Sequence, residues 1–526
     1  MRDVLNLGQM LSVHARLRPD TVGVSDLEQS FTFSMWNRRA CRLANALLGL
    51  GLVPGDCFAV LAYNTIEWAD FYMAAAKAGL IVLPINFRLI GPEIRFILAD
   101  AEPGAIIVQD ELIAPIEEIR TEIGIPADRF IHFGDRQCPT NYRDYEGMLS
   151  QASDGEPNVA AAPTDAWTLM YTSGTTGKPK GVVRNARSGA MLSLVTEIEM
   201  SIHRTDSSLL VMPLCHANSL NFFGTFAYCG APTTIYSRKN FDPEECLRTL
   251  AESGATFSSM VPTHYITMLG LPPRSREAHE LRRVTKLLVS SAPVREDTKR
   301  KIMEMFPNAG LFELYGATEV GWATMLHPHE QSTKLGSVGR ECVGSAPIRL
   351  LDDAGQDVPD GEVGELYCNT PYMFDRYWNL PEKTVAAFVG EHVSVGDMAR
   401  RDPDGFIHLV DRKSNMIISG GENVYPSEIE GVVGSHPKVR DVAVVGLPDE
   451  KWGERIHAAV VLHDEAEAVT PELKAELAAW CQERLAGFKR PRGFTFLRDA
   501  EMPRNATGKM LHRVLKTRLQ AETTPT

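Results

Sequence analysis

An α/β protein with two unequal parts is predicted by three observations. Helical apolar spacing alternates with short apolar strands as far as Ser290, the signature of layered α/β architecture with a largely parallel sheet. After about Val338 the texture changes to short strands punctuated by turns, and near Asp411 it changes again to a compact β/α pattern. We therefore expect a large N-terminal domain of layered α/β subdomains plus a β-rich subdomain over 1–411, and a small α+β C-terminal domain over 412–526.

The elements follow in order. Ala40 to Leu48 has helical spacing, Gly51 and Pro54-Gly55 end it, and Cys57 to Leu61 reads as a strand. Trp68 to Lys77 is helical again and Leu80 to Leu83 a strand. The beat recurs at Ala105–Val108, Leu209–Met212, Pro232–Tyr236, Phe257–Met260 and Leu287–Ser290. Ile348 to Gly355 and Gly364 to Cys368 supply the β-rich part. Strands at Val442–Val445 and Ile456–Leu462 and a helix from Pro471 to Leu485, with Thr470 as its N-cap, make the C-terminal domain.

Composition narrows the function. A chain of 526 residues, 44% apolar and 23% charged, has ample core and is neither disordered nor a staple-held module. Its net charge of −13 repels nucleic-acid phosphate and anionic lipid, so nucleic acid is not an expected partner. The opening residues carry no secretory pattern and no apolar run approaches the ~20 residues of a membrane span, so a cytoplasmic protein is expected. The nine cysteines are odd in number and contain no C-x-x-C, which favours reduced thiols.

The most informative segment runs Tyr171-Thr172-Ser173-Gly174-Thr175-Thr176-Gly177-Lys178-Pro179-Lys180-Gly181. Its glycines permit close backbone approach, its hydroxyls donate hydrogen bonds and its lysines add charge, which suits a polyphosphate. Pro179 stands where a Walker loop would place its magnesium-binding Ser or Thr, so this is a different phosphate loop.

The segment resembles the signature loop of the adenylate-forming superfamily, which includes acyl-CoA synthetases, aryl-CoA ligases, luciferases and peptide-synthetase adenylation domains. Further motifs extend the resemblance from about residue 30 to 515: Tyr315-Gly316-Ala317-Thr318-Glu319, Ser394-Val395-Gly396-Asp397, Asp411-Arg412 with Gly420-Gly421-Glu422, and Pro503-Arg504 through Gly508-Lys509. The resemblance implies ATP, Mg²⁺ and coenzyme A as ligands and a two-step reaction through an acyl-adenylate.

By the same resemblance, Thr172, Ser173, Gly174, Thr175, Thr176 and Lys180 would cradle the phosphates and Glu319 would ligate Mg²⁺. Ser291, Ala292, Tyr315, Gly316 and Thr318 would border the adenine, and Asp397 with Arg412 would hold the ribose. Lys509 would reach the α-phosphate and carboxylate during adenylation, then withdraw as the small domain swivels about Ser414. Gly420, Gly421 and Glu422 would then line a pantetheine tunnel. The family's hinge position is usually Lys or Asp, so Ser414 is a departure.

His216 matches the junction of acyl pocket and thiol tunnel, and Asn218, Phe223, His264, Tyr265, Ala317 and Trp322 are candidate pocket residues. Each lines the substrate or is a core residue. No acidic residue occurs from Val211 to Tyr236, which disfavours an amino-acid substrate because nothing there would hold its ammonium. The expected activity is an AMP-forming carboxylate–CoA ligase acting on an apolar aryl or medium-chain acid, as a monomer or a homodimer. The rivals are an enzyme that loads a carrier protein and, from another class, a nucleotide-binding regulator or phosphotransferase. With no carrier domain behind Lys509, the carrier reading ranks second.

Overall fold

The computed structural model describes residues 4–172, 179–292, 294–419, 422–464, 469–504 and 510–523. Two compact units divide the chain: one comprises 1–348 and 368–393, the other 349–367 and 394–526. Part of the β-rich segment thus packs with the C-terminal residues. A swivel boundary is a property of motion, so this packing leaves the expected 411/412 division as a reading of where the chain turns.

The first unit contains two sheets. The strands Cys57–Leu61, Ile81–Ile85, Ala105–Gln109 and Phe130–Phe133 form the parallel heart of an eight-stranded sheet. The first two are buried along their whole length, as parallel strands covered on both faces must be. Ser208–Leu210, Thr233–Ile235, Phe257–Met260, Lys286–Val289 and Gly310–Ala317 form the parallel part of a nine-stranded sheet. The single body expected from sequence is thus built on two sheets.

Helix Phe33–Gly49 begins where the Thr32 side chain accepts from the Met35 N–H at 3.3 Å. Helix Glu67–Ala78 is buried on nearly every face, and its Trp68 and Tyr72 rings stack 5.4 Å apart. An N-terminal helix, Leu7–Leu17, went unread; Asn6 and Gln9 close a capping box at its start.

In the second unit, Val439–Asp449 and Gly453–Leu462 form a long antiparallel hairpin, to which Gly493–Phe496 adds in parallel. Helix Pro471–Arg484 starts as expected, with the Thr470 hydroxyl accepting from the Leu473 N–H at 3.3 Å. All nine cysteines are free thiols. Among the described residues no helix is long and apolar enough to cross a membrane.

Candidate active site

The strands Ala166–Thr172 and Lys180–Asn185 pair antiparallel with Thr172 opposite Lys180, and so frame the glycine-rich loop. Ser173, Gly174, Thr175 and Thr176 lie outside the described residues. The frame is anchored from below: the Tyr171 hydroxyl donates to Asp100 Oδ2 at 2.5 Å and the Trp378 indole to the Asp100 carbonyl at 3.0 Å. Gly181 is required here, since an added Cβ would meet Leu169 at 2.8 Å and Trp378 at 3.0 Å.

The strand Arg376–Tyr377 extends this sheet, with Tyr377 opposite Val182. That register puts the Tyr377 ring under Lys180, whose Nζ lies 4.1 Å from the ring centroid. The same phenol donates to Glu319 Oε1 at 2.9 Å. Burial and the Glu319 charge both push the Tyr377 phenol well above its ordinary pKa, so it remains a donor.

Glu319 sits in the turn between Gly310–Ala317 and Gly321–Leu326. This turn is tight: a Cβ on Gly316 would stand 2.1 Å from the Gly321 carbonyl oxygen. The Phe374 N–H holds the Glu319 carbonyl at 2.6 Å, and Thr370 holds that of Val320 at 2.8 Å. Glu319 is only 6% exposed, and its Oε2 has no donor among the described residues. A nearly buried anionic oxygen with unused capacity fits a hard divalent cation such as Mg²⁺. Tyr315 is buried beside the turn, while Ala317 and Thr318 are half-buried.

On the acyl side, His216 precedes helix Ala217–Cys229 and His264 lies in helix Pro262–Leu269. Burial, reinforced by the charge of Arg88, lowers both imidazoles to about 4. Nε2 of His216 and Nδ1 of His264 are buried without hydrogen-bond partners among the described residues, and the His264 ring stacks on Phe241 at 4.1 Å. Arg88, which the sequence reading missed, follows strand Ile81–Ile85 by three residues. Its signal was positional, because ligand sites of parallel sheets gather beyond the carboxyl ends of strands.

The other pocket candidates divide. Asn218 donates to Ser290 Oγ at 2.8 Å and accepts from Ser259 Oγ at 3.0 Å, tying two strand ends together. The Tyr265 hydroxyl donates to the Leu288 carbonyl at 3.0 Å. Trp322 donates its indole N–H to Thr196 Oγ1 at 2.8 Å, and its ring meets Phe222 at 5.3 Å. Phe223 points elsewhere, into the core against Trp36 and Tyr72. Ser291 holds a left-handed φ of 70°, followed by half-buried Ala292.

In the second unit, Asp397 and Arg412 face each other in strand register and form an ion pair at 3.1 Å. Ser414 is exposed in the short turn Lys413–Asn415. Its neighbour Lys413 is anchored by Asp353 at 2.9 Å and Glu365 at 3.1 Å. Asp411 accepts from Asn415 Nδ2 at 3.0 Å and from the Ser427 N–H at 2.9 Å, which fastens this turn to helix Pro426–Gly434. Glu422 is exposed on Glu422–Val424, whereas Gly420, Gly421 and Lys509 lie outside the described residues.

Known proteins resemble this chain in sequence and fold. The family of AMP-binding enzymes matches residues 11–378, and the AMP-binding enzyme C-terminal domain matches 428–509. The indoleacetate–CoA ligase of Aromatoleum aromaticum is 32% identical over 513 residues, 96% of each chain. A fatty acid–[acyl-carrier-protein] ligase of Streptomyces coeruleorubidus is 30% identical over 522 residues, 97% of this chain and 96% of that one. The o-succinylbenzoate CoA synthetase of Bacillus subtilis, solved with its acyl-adenylate intermediate, superposes with a TM-score of 0.84 at 28% identity, covering 98% of this chain and 99% of that one. The same enzyme solved with ATP and magnesium gives 0.83 at 28% identity, covering 96% and 99%. With its two family domains in order and relatives matching nearly end to end, the chain belongs to the AMP-binding enzymes, as an AMP-forming acid–thiol ligase.

Proposed function

We propose that this protein converts an apolar aryl or medium-chain carboxylic acid into its CoA thioester through an acyl-adenylate, releasing AMP and pyrophosphate, in the reducing cytoplasm. The observation that carries the reading is the constellation of Glu319, Tyr377 and Lys180 beside the phosphate-loop strands. Its cytoplasmic placement is supported by nine unpaired thiols.

In the first step a carboxylate oxygen attacks the α-phosphorus of ATP, and the bond to the bridging oxygen breaks as pyrophosphate leaves. Two anions must be brought together, so preorganised charge carries most of the catalysis. Glu319 would hold Mg²⁺, which neutralises phosphate charge when bound. Tyr377 fixes the Glu319 carboxylate by donating to one oxygen, and its ring supports the Lys180 ammonium. Lys509 delivers a further cation to the α-phosphate, and Asp397 with Arg412 orients the ribose.

In the second step a thiol sulfur attacks the acyl carbon, AMP leaves, and the thiol proton passes to solvent. An imidazole lowered to about 4 is too weak a base to take that proton. His216 therefore shapes the junction as a neutral hydrogen-bonding group. The small domain swivels about Ser414 between the steps.

The acyl preference rests on two uncharged histidines and on the absence of any acidic residue from Val211 to Tyr236. A pyrophosphate-release screen over fatty, benzoic, cinnamic, dicarboxylic and α-amino acids tests it. Aryl or medium-chain acids should turn over and amino acids should not; ADP in place of AMP would overturn the ligase reading. Lys509→Ala should lose most adenylate formation yet transfer a supplied acyl-adenylate to CoA, and equal loss of both steps would refute the role. One relative loads a carrier protein, so a second reading is carrier loading. Turnover restored by an acyl carrier protein and not by CoA would favour it.

A further inference from the structure

The outer edge of the eight-stranded sheet carries a set of donors that ligase chemistry does not use. His132 lies in the strand Phe130–Phe133, and Asp144 stands opposite it in the parallel strand Arg143–Asp144. Cys138 lies in the loop 134–142 that joins them. A ring nitrogen of His132, the Cys138 sulfur and a carboxylate oxygen of Asp144 are all within 4.8 Å of one another.

Each donor has capacity to spare. His132 is 1% exposed, yet neither Nδ1 nor Nε2 has a hydrogen-bond partner among the described residues. Buried polar atoms left unmatched are rare and call for a partner. Cys138 is the one cysteine of the nine that is not fully buried, and its sulfur makes only long contacts, 3.6 Å, to the carbonyls of Pro139 and Tyr142. Asp144 Oδ2 caps helix Tyr145–Gln151 by accepting from the Gly147 N–H at 2.7 Å, which leaves Oδ1.

We propose that His132, Cys138 and Asp144 bind a borderline divalent cation of the zinc type, with solvent in the fourth position, and so fasten the 134–142 loop to the sheet edge. Imidazole, thiolate and carboxylate are the donors such an ion prefers, whereas Mg²⁺ takes oxygen ligands. Bond lengths of about 2.0–2.3 Å put tetrahedral ligands roughly 3.3–3.7 Å apart. The donors must therefore close by about 1 Å, which Cys138 on its loop and exposed Asp144 can supply. On binding, the Cys138 S–H bond breaks, the sulfur lone pair goes to the cation and the proton goes to solvent, with no change of oxidation state.

Cobalt is the direct probe. Metal-free full-length protein, saturated with Mg²⁺ to occupy the ligase site, is titrated with Co²⁺. A thiolate-to-cobalt charge-transfer band and tetrahedral ligand-field bands should saturate near about one equivalent and disappear when Zn²⁺ is added. Cys138→Ser should remove the charge-transfer band and weaken Zn²⁺ binding by at least about tenfold, with Mg²⁺-dependent pyrophosphate release retained. As a second readout, Zn²⁺ should slow iodoacetamide alkylation of Cys138, located by peptide mapping, and His132→Gln should abolish that protection. An unchanged cobalt spectrum in Cys138→Ser, or Cys138 alkylation indifferent to Zn²⁺, would overturn the site.

Discussion

At the phosphate corner, the Glu319 carboxylate receives a neutral phenol on one oxygen and has no donor on the other among the described residues, its main-chain carbonyl is held by a backbone amide, and Lys180 rests on the Tyr377 ring. On the proposed acyl face the polar groups are engaged by the protein, as in Asn218, Tyr265 and Trp322, or are half-buried and neutral, as in His216 and His264. The first region is prepared to receive charge, whereas in the second the two imidazoles stay neutral beside the Arg88 charge. On the proposed reading, reaction chemistry is fixed in one place and substrate choice in another, and variants should separate the two.

The largest effect belongs to Glu319→Gln. The amide oxygen still accepts from Tyr377, so the turn is kept while the anion is lost. Adenylation should fall about 10²–10³-fold, read by pyrophosphate release across a Mg²⁺ titration. An undiminished rate at ordinary Mg²⁺ would break the assignment of this corner to the phosphates.

Tyr377→Phe is the finer probe, because the ring beneath Lys180 survives and only the hydroxyl goes. A hydrogen bond to a charged group is worth about 1.5–3 kcal/mol, so a loss of roughly 10–100-fold is expected. Its signature is a raised Mg²⁺ requirement with KM for the acid unchanged. If KM for the acid rose instead, the two regions would not be separate.

The third probe is pH. His216 and His264 fall from 6.5 in the unfolded chain to about 4 in the folded one. The unfolded chain therefore binds more protons between those values, so their contribution is complete above about 6.5 and fades as pH drops toward 4. Asp70 and Glu197, raised to about 7 by burial, act in the opposite direction, so the informative quantity is the difference between wild type and variant. The slope of denaturation free energy in this window should flatten in His216→Gln/His264→Gln, by on the order of 1–2 kcal/mol across it. An unchanged slope would mean that the histidines protonate freely.

The division also explains what could be read from sequence. Parallel strands such as Cys57–Leu61 announce themselves as apolar runs, and the Thr470 cap as a local pattern. Glu319, Asp397 and Arg412 stand in contiguous motifs whose chemistry is common to the family. Tyr377 carries no such mark. It reaches Glu319 only because the strand Arg376–Tyr377 adds to Lys180–Asn185, and long-range register is not written in spacing. Phe222 and Phe223 were indistinguishable as neighbours in an aromatic run. Rotation about helix Ala217–Cys229 sends one ring to Trp322 and the other to Trp36 and Tyr72, on different sides of the same buried core.

The smallest effect tests the acyl face from outside it. Thr196, fully buried in helix Ala186–Met200, donates to the Leu192 carbonyl at 2.6 Å and accepts the Trp322 indole N–H at 2.8 Å. Thr196→Val keeps the shape and removes the acceptor, leaving a buried N–H unmatched at a cost of about 1–3 kcal/mol. In a chain of this size the melting temperature should fall by a few degrees. The indole, no longer fixed, should loosen against Phe222 and change KM for the acid by a few-fold, with KM for ATP and the Mg²⁺ requirement unmoved. Because the side-chain hydrogen bonds of Thr196 run to Leu192 and Trp322, a matching change in ATP or Mg²⁺ dependence would show that the two regions respond as one.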